Sequence, residues 1–296
     1  MPFGLLTGLG AALSWGTMDI VSALASRRIG SLRVTAGVQL VSSALLVLAA
    51  LATGIAIPSD PGVLATSGLL GLIGAGAYFA YFTGLRIGPI SVVSGMVAAY
   101  GGLTVVLAVV ARGESLTMTQ ALGAAIATIG VILTGVAFGG GLRGTRFAGP
   151  GVVFAVVALV LFALMAITMD VALDSAGWLQ VLLLSRLVTA AISIAAVVGA
   201  AIAGRRASTS APAMGPVQVR RVVAMLLVAG SLDVAGLISF AIGLSSAPTW
   251  MVGLASSFGP AITILVAVAL LGERLRPVQW FGLVGVAIGM VAIGLP

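Results

Sequence analysis

Apolar runs of about 20 residues follow one another along this chain, separated by short polar breaks, and that is the length a helix needs to cross a bilayer. Ten runs can be marked, near 3–25, 33–53, 62–85, 89–111, 116–137, 149–172, 178–203, 221–244, 247–271 and 277–295. Each is predicted helical, because within hydrocarbon a helix satisfies its own backbone hydrogen bonds. Short connections predict that neighbouring spans run antiparallel. The first run begins almost at Met1 without a basic leader or a clear cleavage site, so it reads as a retained span rather than a signal peptide. The polar interval near 204–221 reads as a loop, and no stretch is left for a domain outside the membrane.

The pattern repeats. Shifted by 159 residues, Gly71 falls on Gly230, Gly84 on Gly243, Pro89 on Pro248, Gly113-Glu114 on Gly272-Glu273, Leu116 on Leu275, Gln120 on Gln279, and Gly123, Gly130 and Gly135 on Gly282, Gly289 and Gly294. Shifted by 151, Thr-Met-Asp at 17–19 falls on Thr-Met-Asp at 168–170; shifted by about 147, Gln39 falls on Arg186. The changing offsets are loop insertions between equivalent spans. The chain is therefore two five-span halves, 1–138 and 149–296, and since five is odd the halves must face opposite ways across the membrane.

Charge agrees with that inversion. Of the 14 basic residues all are arginine, and Arg27, Arg28, Arg33, Arg86, Arg143, Arg146, Arg205, Arg206, Arg220, Arg221, Arg274 and Arg276 fall in loops on one side, against Arg112 alone on the other. Basic loops stay cytoplasmic, so the count places both termini outside. Equivalent loops of the two halves carry opposite bias, as an inverted repeat requires.

Composition narrows the class. At 60% hydrophobic and 7% charged residues the chain cannot clothe a water-facing surface, which needs roughly a quarter charged. The net charge of +7 is membrane-topology charge and does not point to nucleic acid. Without cysteine or histidine there is no disulfide, no histidine metal site and no imidazole catalysis. Serine and metal intramembrane proteolysis are thereby excluded, and the Gly-x-Gly-Asp pattern of an aspartyl protease is missing. The chain is expected to be no enzyme and to need no cofactor or metal.

Ten spans in inverted halves resemble the drug/metabolite transporter superfamily, specifically its EamA-type members. So does the doubled Gly-Glu-x-Leu ending, from Gly113 to Gly130 and from Gly272 to Gly289. The resemblance covers essentially the whole chain. It implies an all-α integral membrane protein of ten helices in two inverted five-helix repeats. It also implies a secondary transporter of the plasma (inner) membrane, often an exporter of amino acids or other small metabolites, working by alternating access. A lipid-linked sugar flippase or a channel-like subunit on the same fold is the alternative.

Four charges lie within spans: Asp19, Asp170, Arg186 and Asp233. Each costs at least a few kcal/mol near mid-membrane and needs a partner, a cavity or a proton. Arg186 and Asp233 both approach the midplane and form the best candidate ion pair, either a structural tie or part of a substrate site. Asp19 and Asp170 are candidates for coupling to a proton. The three tyrosines, Tyr78, Tyr81 and Tyr100, with Trp15 one helical turn before Asp19, can form an aromatic wall with polar tips or ordinary packing. Together these predict a central site of Trp15, Asp19, Tyr78, Tyr81, Tyr100, Arg186 and Asp233 for a small amphipathic molecule. Spans four and nine carry breakers at equivalent places, Gly101-Gly102 and Gly259-Pro260, which predict hinges or static kinks. Glu114 and Glu273 read as structural acids near helix starts. The ladders Gly123, Gly130 and Gly282, Gly285, Gly289 predict close helix packing, inside one protomer or in a homodimer.

Overall fold

The computed structural model describes residues 2–88, 90–135, 150–205, 215–259, 261–262 and 277–294, which are helical almost throughout. The first half comprises α1 (Pro2–Ile29), α2 (Ser31–Thr53), α3 (Pro61–Ile87), α4 (Ile90–Ala98), α5 (Tyr100–Arg112) and α6 (Met118–Gly135). The second comprises α7 (Pro150–Leu173), α8 (Trp178–Arg205), α9 (Pro216–Leu244), α10 (Thr249–Ser256) and α11 (Pro277–Gly294). The chain is an all-α integral membrane protein of ten spans in two inverted five-helix repeats. The fourth span is two helices, α4 and α5, and α10 is the described start of the ninth. Helices α2, α3, α7, α8 and α9 are each long and apolar enough to cross a membrane unaided. The predicted span limits differ from these by a few residues, most at the start of α9, which reaches back to Pro216 because proline is well placed at a helix start.

Local chemistry sets the helix ends. Gly30, at φ 85°, lets α1 turn directly into α2, and Gly113, at φ 67°, closes α5 in the left-handed conformation. The Asp60 side chain accepts from the Val63 amide at 2.9 Å, with Pro61 in the first turn of α3.

The halves interlock. Helix α1 packs on α9, α2 on α8, α3 on α7, and α6 on α11. Directions follow from which ends meet: Gly4 of α1 lies against Ala247, just after α9, while Trp15 lies against Gly236. Gly84 near the end of α3 lies against Gly151 at the start of α7, so that pair also runs antiparallel. Side chains of α2, α3, α7, α8 and α9 build the larger apolar core, and a second cluster joins α6, α10 and α11.

The glycine ladders are spent inside the protomer. A Cβ on Gly130 would stand 2.6 Å from the backbone nitrogen of Val286, and one on Gly289 would stand 2.6 Å from that of Ala127. Only the missing side chains let α6 and α11 approach so closely. A homodimer would have to use other faces. Those faces are apolar: Leu51, Val110 and Phe281 are 75%, 77% and 73% exposed, a surface suited to lipid.

Candidate functional site

The two interrupted spans meet at the centre. The fourth breaks at Ala99, and the ninth leaves helix at Ser257–Phe258 before Gly259. The predicted pair Gly101-Gly102 lies just after the first break and serves close packing. A Cβ on Gly101 would run into the Ser257 side chain, and one on Gly102 would stand 2.6 Å from Thr128. Tyr100, the first residue of α5, shares a 2.7 Å hydrogen bond with the hydroxyl of Ser256, the last of α10. Pro260, the other predicted hinge residue, lies outside the described residues, as do Pro89, Glu273 and the arginines at 143, 146, 206, 274 and 276.

A central cavity lies beside these breaks, bounded by α1, α3, α4, α5, α7, α9 and α10. It offers about 60 Å³ to water-sized molecules. Trp15, Asp19, Tyr78, Tyr81 and Tyr100, five of the seven predicted site residues, line it together with Phe162 and Phe240. Asp19 is 5% exposed and accepts a 2.6 Å hydrogen bond from the Tyr81 hydroxyl, which also lies 3.3 Å from Ser94 Oγ. Phe162 of α7 is the hub of the aromatic wall, with ring centroids 5.4, 5.8 and 5.9 Å from those of Tyr78, Tyr81 and Tyr100. Trp15 leans on Phe240 at 5.5 Å. Its indole N–H presses on Gly236, where a Cβ would stand 2.5 Å away, so only glycine leaves room for the ring.

Arg186 and Asp233 pair, as predicted, with Nη2 3.4 Å from Oδ1, and both are almost fully buried. They are not among the residues lining the cavity; Tyr78 stands between. The Tyr78 hydroxyl donates to Asp233 Oδ1 at 2.8 Å and accepts from Arg186 Nη2 at 2.9 Å, with the guanidinium 4.9 Å from its ring centroid. Arg186 Nη1 donates to Gln39 Oε1 at 2.7 Å, and Ser42 donates to Asp233 Oδ2 at 2.6 Å. The network ties α2, α3, α8 and α9 and thus both halves. It satisfies the charge pair, the condition on which buried ions are tolerated.

Asp170 sits elsewhere, at the end of the bundle that holds Arg112. Arg112 Nε donates to Asp170 Oδ2 at 2.6 Å and Nη2 to Asp174 Oδ2 at 2.7 Å, joining the end of α5 to the end of α7. Beside them Glu114 accepts from the amides of Thr249 and Trp250 at 2.8 and 3.0 Å, a carboxylate capping the start of α10. Asp170 is thus a member of an ion-pair cluster at the arginine-poor end, away from Asp19 and its cavity.

The doubled architecture and these sites agree with what the chain is similar to. The model of the EamA-like transporter family matches residues 2–136 and again 149–295. The chain belongs to the EamA-like transporter family. Its membership makes it a multi-pass membrane transporter of the drug/metabolite type. A search of curated proteins found no match. Among solved structures, one crystal structure superposes on this EamA-like chain with a TM-score of 0.76, over 98% of this chain and 96% of the other, at 21% identity. That likeness concerns the fold.

Sequence reasoning missed Ser42, Ser94 and Ser256, which bond Asp233, Tyr81 and Tyr100, and four further contributors in this EamA-like chain. Phe162 and Phe240 stood among many apolar residues with nothing to single them out. Asp174 was visible only as a loop residue. Gln39 carried a signal: it is the repeat counterpart of Arg186, and the two side chains touch.

Proposed function

We propose that this protein is a secondary transporter that moves a small amphipathic metabolite bearing an amino group, an amino acid or a close relative, through the central cavity by alternating access. Export across the plasma membrane is the direction the family resemblance favours, and the arginine count favours both termini outside. The observation that carries the reading is Asp19, a buried carboxylate and, among the described residues, the one acidic side chain along a cavity lined mostly by aromatic and apolar side chains, with the hydroxyls of Ser94, Ser256 and Ser257. Such a wall suits an apolar body with one charged head. Asp19 is also the group placed to exchange a proton with a gradient, since a carboxylate at membrane depth changes protonation when its surroundings change.

The interrupted spans supply the moving parts. Helices α5 and α10 both start or end at the cavity and both are anchored at the arginine-poor end, by Arg112 and by Glu114. Motion of this pair about Ala99 and Ser257–Phe258 alters the cavity and that end together. A substrate carboxylate, where there is one, would have to reach Arg186 by displacing Tyr78. Radiolabelled flux into proteoliposomes against a metabolite panel, with and without a pH gradient, tests the reading. Saturable flux of at least one amino-bearing solute is expected. Non-saturating flux would instead indicate a channel, and flux of lipid-linked substrates alone a flippase.

A further inference from the structure

Asp19 and Asp170 are the same residue of the repeat, yet among the described residues only Asp170 is paired with a cation. Arg112 Nε lies 2.6 Å from Asp170. The offset that sets Gly113 on Gly272 sets Leu271 opposite Arg112, so in sequence the first Asp has no matching arginine. Space agrees. Among the described residues Tyr81 is the one hydrogen-bond donor to Asp19, and no basic side chain pairs with it. The one arginine inside a span, Arg186, is matched by Asp233 and held by Gln39 and Tyr78. Among the described residues, the cavity lining therefore carries one carboxylate and no basic side chain, with the rings of Trp15, Tyr81, Tyr100, Phe162 and Phe240 and the hydroxyls of Ser94, Ser256 and Ser257 around it.

We infer that the substrate is an amphipathic monocation: an ammonium head on an apolar or aromatic body, without a free carboxylate. This rests on the proposed transport reading and narrows it to the amine relatives named there, setting aside amino acids that keep a free carboxylate. An ionised carboxylate in such a place is costly until an opposite charge joins it. An ammonium supplies that charge, and the negative faces of the aromatic rings favour the same head. A zwitterion brings a second charge that the lining does not match. Its carboxylate must either stay unpaired beside Asp19 or break the Arg186–Asp233 pair to find a donor, and both losses oppose binding. A carboxylic acid anion meets repulsion alone.

A series that holds the body constant separates these cases. Phenethylamine, phenylalanine and 3-phenylpropionate share a phenylethyl body and differ in charge: monocation, zwitterion and anion. Binding is read as the ligand-dependent rise in unfolding temperature of the full-length protein in lipid nanodiscs, and as competition against flux in proteoliposomes. Phenethylamine should bind at least tenfold more tightly than phenylalanine, and 3-phenylpropionate should give no shift. Asp19→Asn should remove the phenethylamine shift, while Asp170→Asn should keep it. Phenylalanine binding as tightly as phenethylamine, or a phenethylamine shift that survives Asp19→Asn, overturns the inference. So does absence of any phenethylamine shift in the native protein, a result that needs no variant to fold. Saturable transport of a zwitterionic amino acid that phenethylamine does not inhibit would sink this inference and leave the transport reading standing. Flux of no panel member would sink both.

Discussion

Replacing Arg186 by leucine tests what the buried pair is for. The change removes the donor to Gln39, one donor to Tyr78, and the one cation paired with Asp233 among the described residues, leaving that carboxylate fully buried with the hydroxyls of Ser42 and Tyr78. Breaking a buried pair from one side costs about 3–5 kcal/mol. At about 1.4 kcal/mol per factor of ten, the folded-to-unfolded ratio should fall by about two to three and a half orders of magnitude. Removing both partners leaves no stranded charge, so Arg186→Leu with Asp233→Leu should recover most of the loss. Unfolding in mixed micelles gives the stabilities, and proteoliposome flux gives the function. If the pair is a tie between the halves, the double variant both folds and transports. If Arg186 holds a substrate carboxylate, it folds and does not transport. A double variant no more stable than either single one would refute the reasoning, because the cost could not then lie in the uncompensated charge.

Three further outcomes are expected. With no native cysteine in the chain, cysteines at the exposed positions Ser59 and Ser175 should react in cells with an impermeant thiol reagent, and those at Ile87 and Gln218 should not; the reverse pattern would turn the assigned orientation over. Arg112→Ala loosens the ends of α5 and α7. The change removes two pairs, to Asp170 (11% exposed) and Asp174 (57% exposed), each contributing about 0.2–1 kcal/mol, so reagent access to Ser94→Cys from the Arg112 side should rise by about 2- to 30-fold. Unchanged access would mean the ion-pair cluster does not hold that end shut. Gly130→Leu drives a side chain into the backbone of α11 and should lower the unfolding temperature sharply without changing particle mass in detergent; a loss of mass instead would show that the ladder joins two protomers.

The spans, the inversion and the family were legible because bilayer thickness and backbone satisfaction leave few alternatives to a 20-residue apolar helix. The contents of the cavity were legible in part, through rarity. Charged residues, tyrosine and tryptophan are scarce enough here that their placement needs a reason, and Trp15, Asp19, Tyr78, Tyr81 and Tyr100 do converge. Phe162 and Phe240 were illegible for the opposite cause: in a chain of this composition an apolar aromatic residue is no signal, and only three-dimensional packing shows that Phe162 faces three tyrosines. The break in the fourth span lies at Ala99, two residues before the Gly101-Gly102 pair that the sequence singles out. The glycines that suggested it admit Ser257 and Thr128.

The repeat itself held more information than its periodicity. In an inverted pair of halves, a residue that touches its own counterpart must lie near the axis that relates them. Gln39 and Arg186 touch, at 2.7 Å, so the axis runs through the charge network. Asp19 and Asp170 lie on either side of it, one at the cavity and one at the Arg112 end. A device built by duplication begins with two equal carboxylates at mirrored depths. Giving one of them an arginine converts it into a fastening between α5 and α7. Among the described residues no arginine joins the other, and that inequality is what the proposed monocation would balance. The single arginine on the side otherwise without basic loop residues, conspicuous first as an exception to the topology count, is the residue that fastens Asp170 and sets the two carboxylates apart.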